Sequence, residues 1–301
     1  MPEVIEVRKY ADFLNKKLKN KYIDNINILK GRYIKHGVFS NYYKLKSNMP
    51  IKVKSIKTKG KFLYFVLDKG LYLFSTLGLR GGWTFYSYKK KDFIFPSLLE
   101  YLGDYDISKY KKNALNNLNV EFKVQDGILY FFDMLQNGTF KVVDNKEEID
   151  KKLKSLGPDI MDLDTNYEIF KNQIKQKNNL KKYIGVVLVN QKIISGIGNY
   201  LRADILWMSR ISPFRLVRDL ENNEIESIYK NSKLLTWGNY NYKKGVKLHI
   251  INEKNKLPQN YNLNFFIYKQ KTDIYGNSVI KEELYEGSVK RFIYWVKEIQ
   301  R

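Results

Sequence analysis

The stretch Ser195-Gly196-Ile197-Gly198-Asn199-Tyr200-Leu201-Arg202-Ala203-Asp204-Ile205-Leu206-Trp207 decides how the second half of this chain is read. Leu180 to Val189 before it and Tyr200 to Trp207 after it carry helical patterns, so the glycines fall in a turn between two helices. Such a turn can bind phosphate. The glycines let backbone N–H groups approach closely, and the next helix adds the positive end of its dipole. Gly198 would supply an N–H, and Asn199 can donate through its side chain. The same spacing also suits an ordinary interhelical turn.

The charge balance gives that turn a context. The 301 residues carry a net charge of +23 and a pI near 9.7. That excess calls for a polyanionic partner, nucleic acid first and an acidic membrane surface second. Some of the lysine is compositional, because Lys, Asn, Ile and Tyr are abundant together. The absence of cysteine excludes disulfides and thiolate metal sites, and two histidines, His36 and His249, do not make a histidine cluster. No apolar run reaches about 18 residues, and an N-terminus with Glu3 and Glu6 is no signal peptide, so an intracellular protein is expected.

Outward from the turn, Tyr167 to Ile174 and Leu220 to Trp237 read as further helices. Leu156-Gly157-Pro158-Asp159 breaks the chain after a polar, charged stretch from Asn145 to Lys154. Before that break the pattern is β-rich: Tyr22–Ile23, Ile26–Ile28, Tyr33, Ile51–Lys54, Phe62–Leu67, Leu71–Phe74, Val120–Val124, Ile128–Asp133 and Thr139–Val143. One helix, from about Glu3 to Leu18, precedes these strands, which suggests a β-sandwich. After the helices, Asn239 to Lys256 is polar, basic and expected to be mobile. Phe265–Tyr268 and Phe292–Val296 then read as strands around a turn at Asp273–Asn277.

Three features of the first half carry chemistry. Removal of Met1 would leave Pro2 as the first residue. Its secondary amine titrates near neutral pH and can attack an aldehyde-like carbon, with Glu3 beside it to handle protons. Five lysines lie between Lys52 and Lys61. Lys52 and Lys54 read as a solvated strand face, whereas Lys61, at the entry to an apolar strand, is aimed as a phosphate contact. Thr76-Leu77-Gly78-Leu79-Arg80-Gly81-Gly82 makes a tight loop. Leu79 there is either a wedge for a base stack or a tucked turn residue.

Taken in order, Pro2-Glu3 with Glu6, Lys59-Gly60-Lys61-Phe62-Leu63, Leu77-Gly78-Leu79, Leu156-Gly157-Pro158-Asp159 and Gly196-Ile197-Gly198-Asn199 resemble one family. It is the formamidopyrimidine-DNA glycosylase and endonuclease VIII family of base-excision repair. Gly196 to Leu206 is most similar to its endonuclease VIII-like branch. Val296 and Ile299 stand where the last Cys-x-x-Cys of a zinc finger would be, which resembles the zincless finger of that branch and of giant-virus relatives.

The resemblance implies an α+β fold: an N-terminal helix plus β-sandwich catalytic domain (1–150), a helical helix-two-turn-helix domain (151–260) and a zincless-finger β-hairpin (261–301). It implies a bifunctional DNA glycosylase and abasic-site lyase, acting as a monomer without metal or cofactor on damaged double- or single-stranded DNA. Pro2 would be the Schiff-base nucleophile, Glu3 the general acid/base and Lys61 a phosphate contact that assists catalysis. Asn199, Gly198 and Arg291 would bind DNA, and Leu79 would fill the void left by the flipped nucleotide. The family's other two fillers, an Arg and a Phe, are absent from Asp133-Met134-Leu135-Gln136-Asn137-Gly138. Oxidised pyrimidines, hydantoins and formamidopyrimidines are the expected lesions. A non-catalytic nucleic-acid binder is the alternative.

Overall fold

The computed structural model describes residues 2–96, 106–241, 265–286 and 289–301. His249, Leu263 and most of the basic Asn239–Lys256 segment expected to be mobile lie outside the described residues. The chain divides into two compact units. The first holds Pro2, Glu6–Glu100 and Asp104–Lys154; the second holds Glu3–Ile5 and Ser155–Arg301.

In the first unit, helix α1 (Val4–Leu18) is followed by β1 (Tyr22–Ile28), α2 (Arg32–Lys35), α3 (Tyr42–Ser47), β2 (Ile51–Lys59), β3 (Phe62–Leu67), β4 (Tyr72–Thr76), β5 (Gly81–Ser87), β6 (Asp92–Ile94), α4 (Ile107–Leu115), β7 (Leu118–Val124), β8 (Gly127–Asp133), β9 (Thr139–Val143) and α5 (Lys146–Lys154). Val7, Tyr10, Leu14 and Leu18 recur at helical spacing along α1 and are all buried. The Asn15 amide binds α1 to β2. It donates to the Ile56 carbonyl at 2.7 Å and accepts from the Ile56 N–H at 2.8 Å.

The strands form one antiparallel sheet in the order β6-β5-β8-β7-β1-β2-β3-β4-β9. The sheet folds onto itself. The ring of Trp83 on β5 packs within 5.5 Å of Phe65 on β3 and 5.6 Å of Phe140 on β9, far along the strand order, and touches Phe122 and Phe131 on the nearer strands. This aromatic layer is the sandwich core.

One reading of this half changes, and one segment left without an element gains one. Tyr33 is helical, not extended. Gly31, at φ +85°, turns the chain into α2, and the Tyr33 hydroxyl accepts from the Phe140 N–H at 2.6 Å. The polar stretch before Leu156 is helix α5. The Asn145 side chain caps it by accepting from Glu148 N–H at 2.7 Å, with Glu147 and Glu148 in the first turn and lysines in the last.

The second unit contains α6 (Tyr167–Ile174), α7 (Ile184–Val187), α8 (Asn199–Met208), α9 (Asn222–Asn241) and the antiparallel pair β10 (Ile280–Glu286) and β11 (Val289–Trp295). Ile197, Leu201, Ile205 and Leu206 from the turn and α8 share a core with Ile225 and Ile228 of α9 and Leu284 and Ile293 of the hairpin. Val296 is fully buried in the same core, and Ile299 packs against it.

Here too, expectations shift. Of Leu180–Val189 only α7 is α-helical, because flanking backbone groups pair outward. Arg218 N–H donates to the Leu180 carbonyl, Val217 N–H to Lys182, and Ile184 N–H to Arg215. Phe265–Tyr268 is a turn rather than a strand. The buried Asp204 carboxylate gathers the N–H groups of Ile267 at 3.0 Å and Tyr268 at 3.3 Å, a geometry no strand presents.

Candidate active site and nucleic-acid interface

Helix α8 begins without a capping side chain, since its N-cap is Gly198. Its first N–H groups therefore need an acceptor. Glu3 provides it from 195 residues away. One carboxylate oxygen accepts from Gly198 N–H at 2.6 Å and from Leu201 N–H at 3.4 Å; the other accepts from Tyr200 N–H at 3.0 Å. Glu3 is only 1% exposed. The next residue completes the dock, with Val4 N–H donating to the Gly196 carbonyl at 3.2 Å.

The glycines serve this approach. Gly196 sits at φ +113°, and a Cβ there would stand 2.9 Å from the Cβ of Val4. Gln191 fixes the turn from inside. Its amide nitrogen donates to the Val189 and Ile197 carbonyls, and its oxygen accepts from Gly196 N–H at 2.9 Å. This corrects one expectation. The Gly198 N–H is engaged by Glu3, so Gly198 holds the carboxylate rather than presenting a phosphate donor. Asn199, the first residue of α8, is half-exposed and remains the polar side chain at that helix end.

Further along α8 lie two buried charges. Arg202, wholly buried, donates from Nη1 to the Gly185 carbonyl at 3.0 Å and from Nη2 to the Phe292 carbonyl at 2.9 Å. Burial pushes its pKa down to about 10, the nearby Arg291 guanidinium pushes the same way, and Glu3 opposes them. Burial likewise raises Asp204 to about 7, against the N–H groups of Ile267, Phe266 and Tyr268. The Tyr268 phenol is raised by burial first and by Glu3 second. Arg291 lies on β11 opposite Leu284 and is half-buried. Glu3, Gly198, Asn199 and Arg291 thus belong to one unit, electrically linked through Arg202.

In the first unit Pro2 is half-buried, one peptide bond before Glu3. Gly60, at φ +55°, and Lys61 form the two-residue loop between β2 and β3, leaving Lys61 half-exposed at its tip. Lys59 is tied down, donating to the Leu153 carbonyl at 2.8 Å. Leu79 is 45% exposed while Leu77 is buried, so the loop presents Leu79 outward. The neighbouring Asp133 loop closes on its own carboxylate, which accepts from Leu135 N–H at 3.1 Å and Gly138 N–H at 2.6 Å. Among the described residues no three His, Asp or Glu side chains converge as a metal site, and no helix is long and apolar enough to cross a membrane.

Three family models cover most of the chain. The formamidopyrimidine-DNA glycosylase N-terminal domain matches residues 1–140, the H2TH domain of the same enzymes matches 156–237, and their C-terminal domain matches 254–301. The formamidopyrimidine-DNA glycosylase of Mycoplasma genitalium is 30% identical over 77% of this chain and 72% of its own. This chain belongs to the formamidopyrimidine-DNA glycosylase family. That makes it a DNA glycosylase of DNA repair.

The Oceanobacillus iheyensis formamidopyrimidine-DNA glycosylase is 28% identical over 77% of this chain and 74% of its own. In three dimensions the fold matches that of Lactococcus lactis formamidopyrimidine-DNA glycosylase bound non-covalently to DNA containing an abasic site. The TM-score is 0.74 with 17% identity, over the full length of both chains. A MutM structure with DNA containing carbocyclic 8-oxo-G gives 0.72 and 19%, again over both full chains.

Within this glycosylase, sequence reading missed Gln191, Arg202 and Asp204. Gln191 had no signal beyond lying before the glycine turn. Arg202 and Asp204 did: two charged residues inside an otherwise apolar helix segment have to be buried together with partners.

Proposed function

We propose that the protein is a bifunctional glycosylase and abasic-site lyase that excises oxidised bases through the nitrogen of Pro2. The observation that carries this reading is the buried Glu3 carboxylate locked onto the α8 N-terminus. It fixes the backbone one peptide bond from Pro2, as a nucleophile that must meet a sugar carbon requires. In this reading Met1 is removed and the proline amine attacks C1′ of an extruded nucleotide. The damaged base departs with the glycosidic electron pair, and its nitrogen takes up a proton. The amine loses its proton and the sugar opens, leaving a cationic iminium. Loss of the C2′ proton then expels the 3′ phosphate, a second elimination expels the 5′ phosphate, and water releases the enzyme. Glu3 moves protons at the sugar.

Lys61, Asn199 and Arg291 are proposed to hold phosphates, and Leu79 to occupy the vacated stack. A basic chain of this kind should bind DNA, double- or single-stranded, as a monomer and with strong salt dependence. The endonuclease VIII-like branch, and with it a preference for oxidised pyrimidines, hydantoins and formamidopyrimidines, rests on the motif resemblance.

Borohydride reduction during turnover of a lesion-bearing duplex tests the chemistry. The expected result is a covalent adduct mapped to Pro2 by mass spectrometry and lost in Pro2→Gly. An adduct elsewhere, or full base excision without one, refutes the mechanism.

A further inference from the structure

We infer that Arg202 is the positioning residue for Arg291: its buried guanidinium clamps the hairpin backbone so that Arg291 faces a DNA phosphate. This rests on the reading of Arg291 as a phosphate contact. A two-stranded hairpin is marginal by itself. The family's device for bracing such a hairpin, a zinc ion held by cysteines, does not fit this chain, which has no cysteine and carries Val296 and Ile299 at the relevant places. Core packing accounts for one face, through Leu284, Ile293 and Val296. It acts on side chains, while the backbone of residues 291–292 is paired across the ladder with Leu284 and Glu283 and leaves the Phe292 carbonyl to Arg202.

Arg202 provides a planar fork. Its two terminal nitrogens reach carbonyls on different elements, Gly185 on α7 at 3.0 Å and Phe292 on β11 at 2.9 Å. The Phe292 carbonyl is one residue from the Arg291 Cα, and Leu284 stands opposite Arg291 across the strand pair. Holding that carbonyl therefore holds the strand edge from which Arg291 projects. The two guanidinium groups feel one another, and Glu3 supplies the nearby negative charge that makes a buried Arg202 tolerable. The α8 segment that receives Glu3 is thereby tied to the strand that carries Arg291.

The test measures affinity for a duplex containing a stable abasic-site analogue as a function of salt, for full-length wild type, Arg291→Ala, Arg202→Met and the double variant. Each phosphate contact contributes about 0.9 to the slope of log affinity against log salt. Arg291→Ala is expected to lower the slope by about 0.9, Arg202→Met by the same amount, and the double variant by no more. Arg202→Lys keeps the charge but cannot bridge both carbonyls, and should resemble Arg202→Met. A wild-type slope for Arg202→Met, with only its melting temperature reduced, overturns the proposal. So does additive loss in the double variant, or a slope restored by lysine. If Arg202→Met does not fold, Arg202→Gln and Arg202→Lys are read in its place. An unchanged slope in Arg291→Ala removes the phosphate reading of Arg291 and the proposal with it; a change there but not at Arg202 removes the proposal alone.

Discussion

Replacing Glu3 by glutamine should destabilise the second unit by about 2–4 kcal/mol, quite apart from its effect on catalysis. Three N–H groups converge on the carboxylate, from Gly198, Tyr200 and Leu201. A glutamine oxygen accepts two hydrogen bonds, and its NH₂ group turns a donor toward a donor. At least one buried N–H then loses its acceptor, at a cost of about 1–3 kcal/mol. The lost charge at the helix N-terminus adds about 0.3–1 kcal/mol, up to about 2 in a partly buried setting. The Arg202 and Arg291 pair also loses an anion that offsets it. The assay is urea denaturation followed by the fluorescence of Trp207, Trp237 and Trp295, which all lie in that unit. Such a loss is a large fraction of an ordinary domain's stability, about 5–15 kcal/mol, and is readily resolved. A residue retained for chemistry alone would leave the midpoint unchanged or raise it on substitution. If Glu3→Gln unfolds within about 0.5 kcal/mol of wild type, the argument that Glu3 caps α8 is refuted.

Two other substitutions probe the same unit. Gly196→Ala places a methyl group 2.9 Å from the Val4 Cβ at φ +113°, and should cost about 2–5 kcal/mol from strain and overpacking together; an unchanged thermal midpoint contradicts this. Asp204, raised to about 7 by burial, keeps its proton in the folded state after the unfolded chain has released it. Its contribution to stability is therefore present below about pH 4 and lost as pH rises toward 7, by up to about 4 kcal/mol if the whole shift is expressed. Asp204→Asn should accordingly show a shallower fall in melting temperature than wild type across that range, and parallel curves would refute the assignment.

Much of this fold is legible in the sequence. Alternation in Ile51–Lys54 and the apolar run Phe62–Leu67 mark β2 and β3, because sheet faces are written in local periodicity. The turn Gly196–Asn199 was legible for the same local reason. The misread segments share a different cause. Tyr33, Phe265 and Leu180 have residue types suited to strand or helix, yet their backbone groups answer to distant partners. Phe140 holds Tyr33, and Arg218 pairs with Leu180. Asp204 gathers the turn after Phe265. The site was legible as a set of motifs but not as a geometry. Nothing in the sequence near Gly198 says that its N–H is occupied by residue 3, which is why a phosphate donor was expected there.

That occupied N–H changes how the glycine turn works. Gly196 and Gly198 were expected to leave N–H groups open for a ligand; instead Gln191 takes one and Glu3 takes the other. What the small residues permit is the close approach of the chain's own first segment, Val4 included. The turn therefore delivers the residue beside the proposed nucleophile to a helix end, and Asn199 follows directly on the same helix. Position along α8 then orders the functions: Glu3 at its N-terminus, Asn199 in its first turn, Arg202 reaching the Arg291 strand, and Asp204 gathering the turn after Phe265. A rigid rod about 15 Å long at 1.5 Å per residue thus sets the spacing among groups that are distant in sequence. Changes within α8 should accordingly perturb binding and chemistry together, whereas a change at Leu79, on a loop of the other unit, should alter binding while leaving the groups along α8 in place.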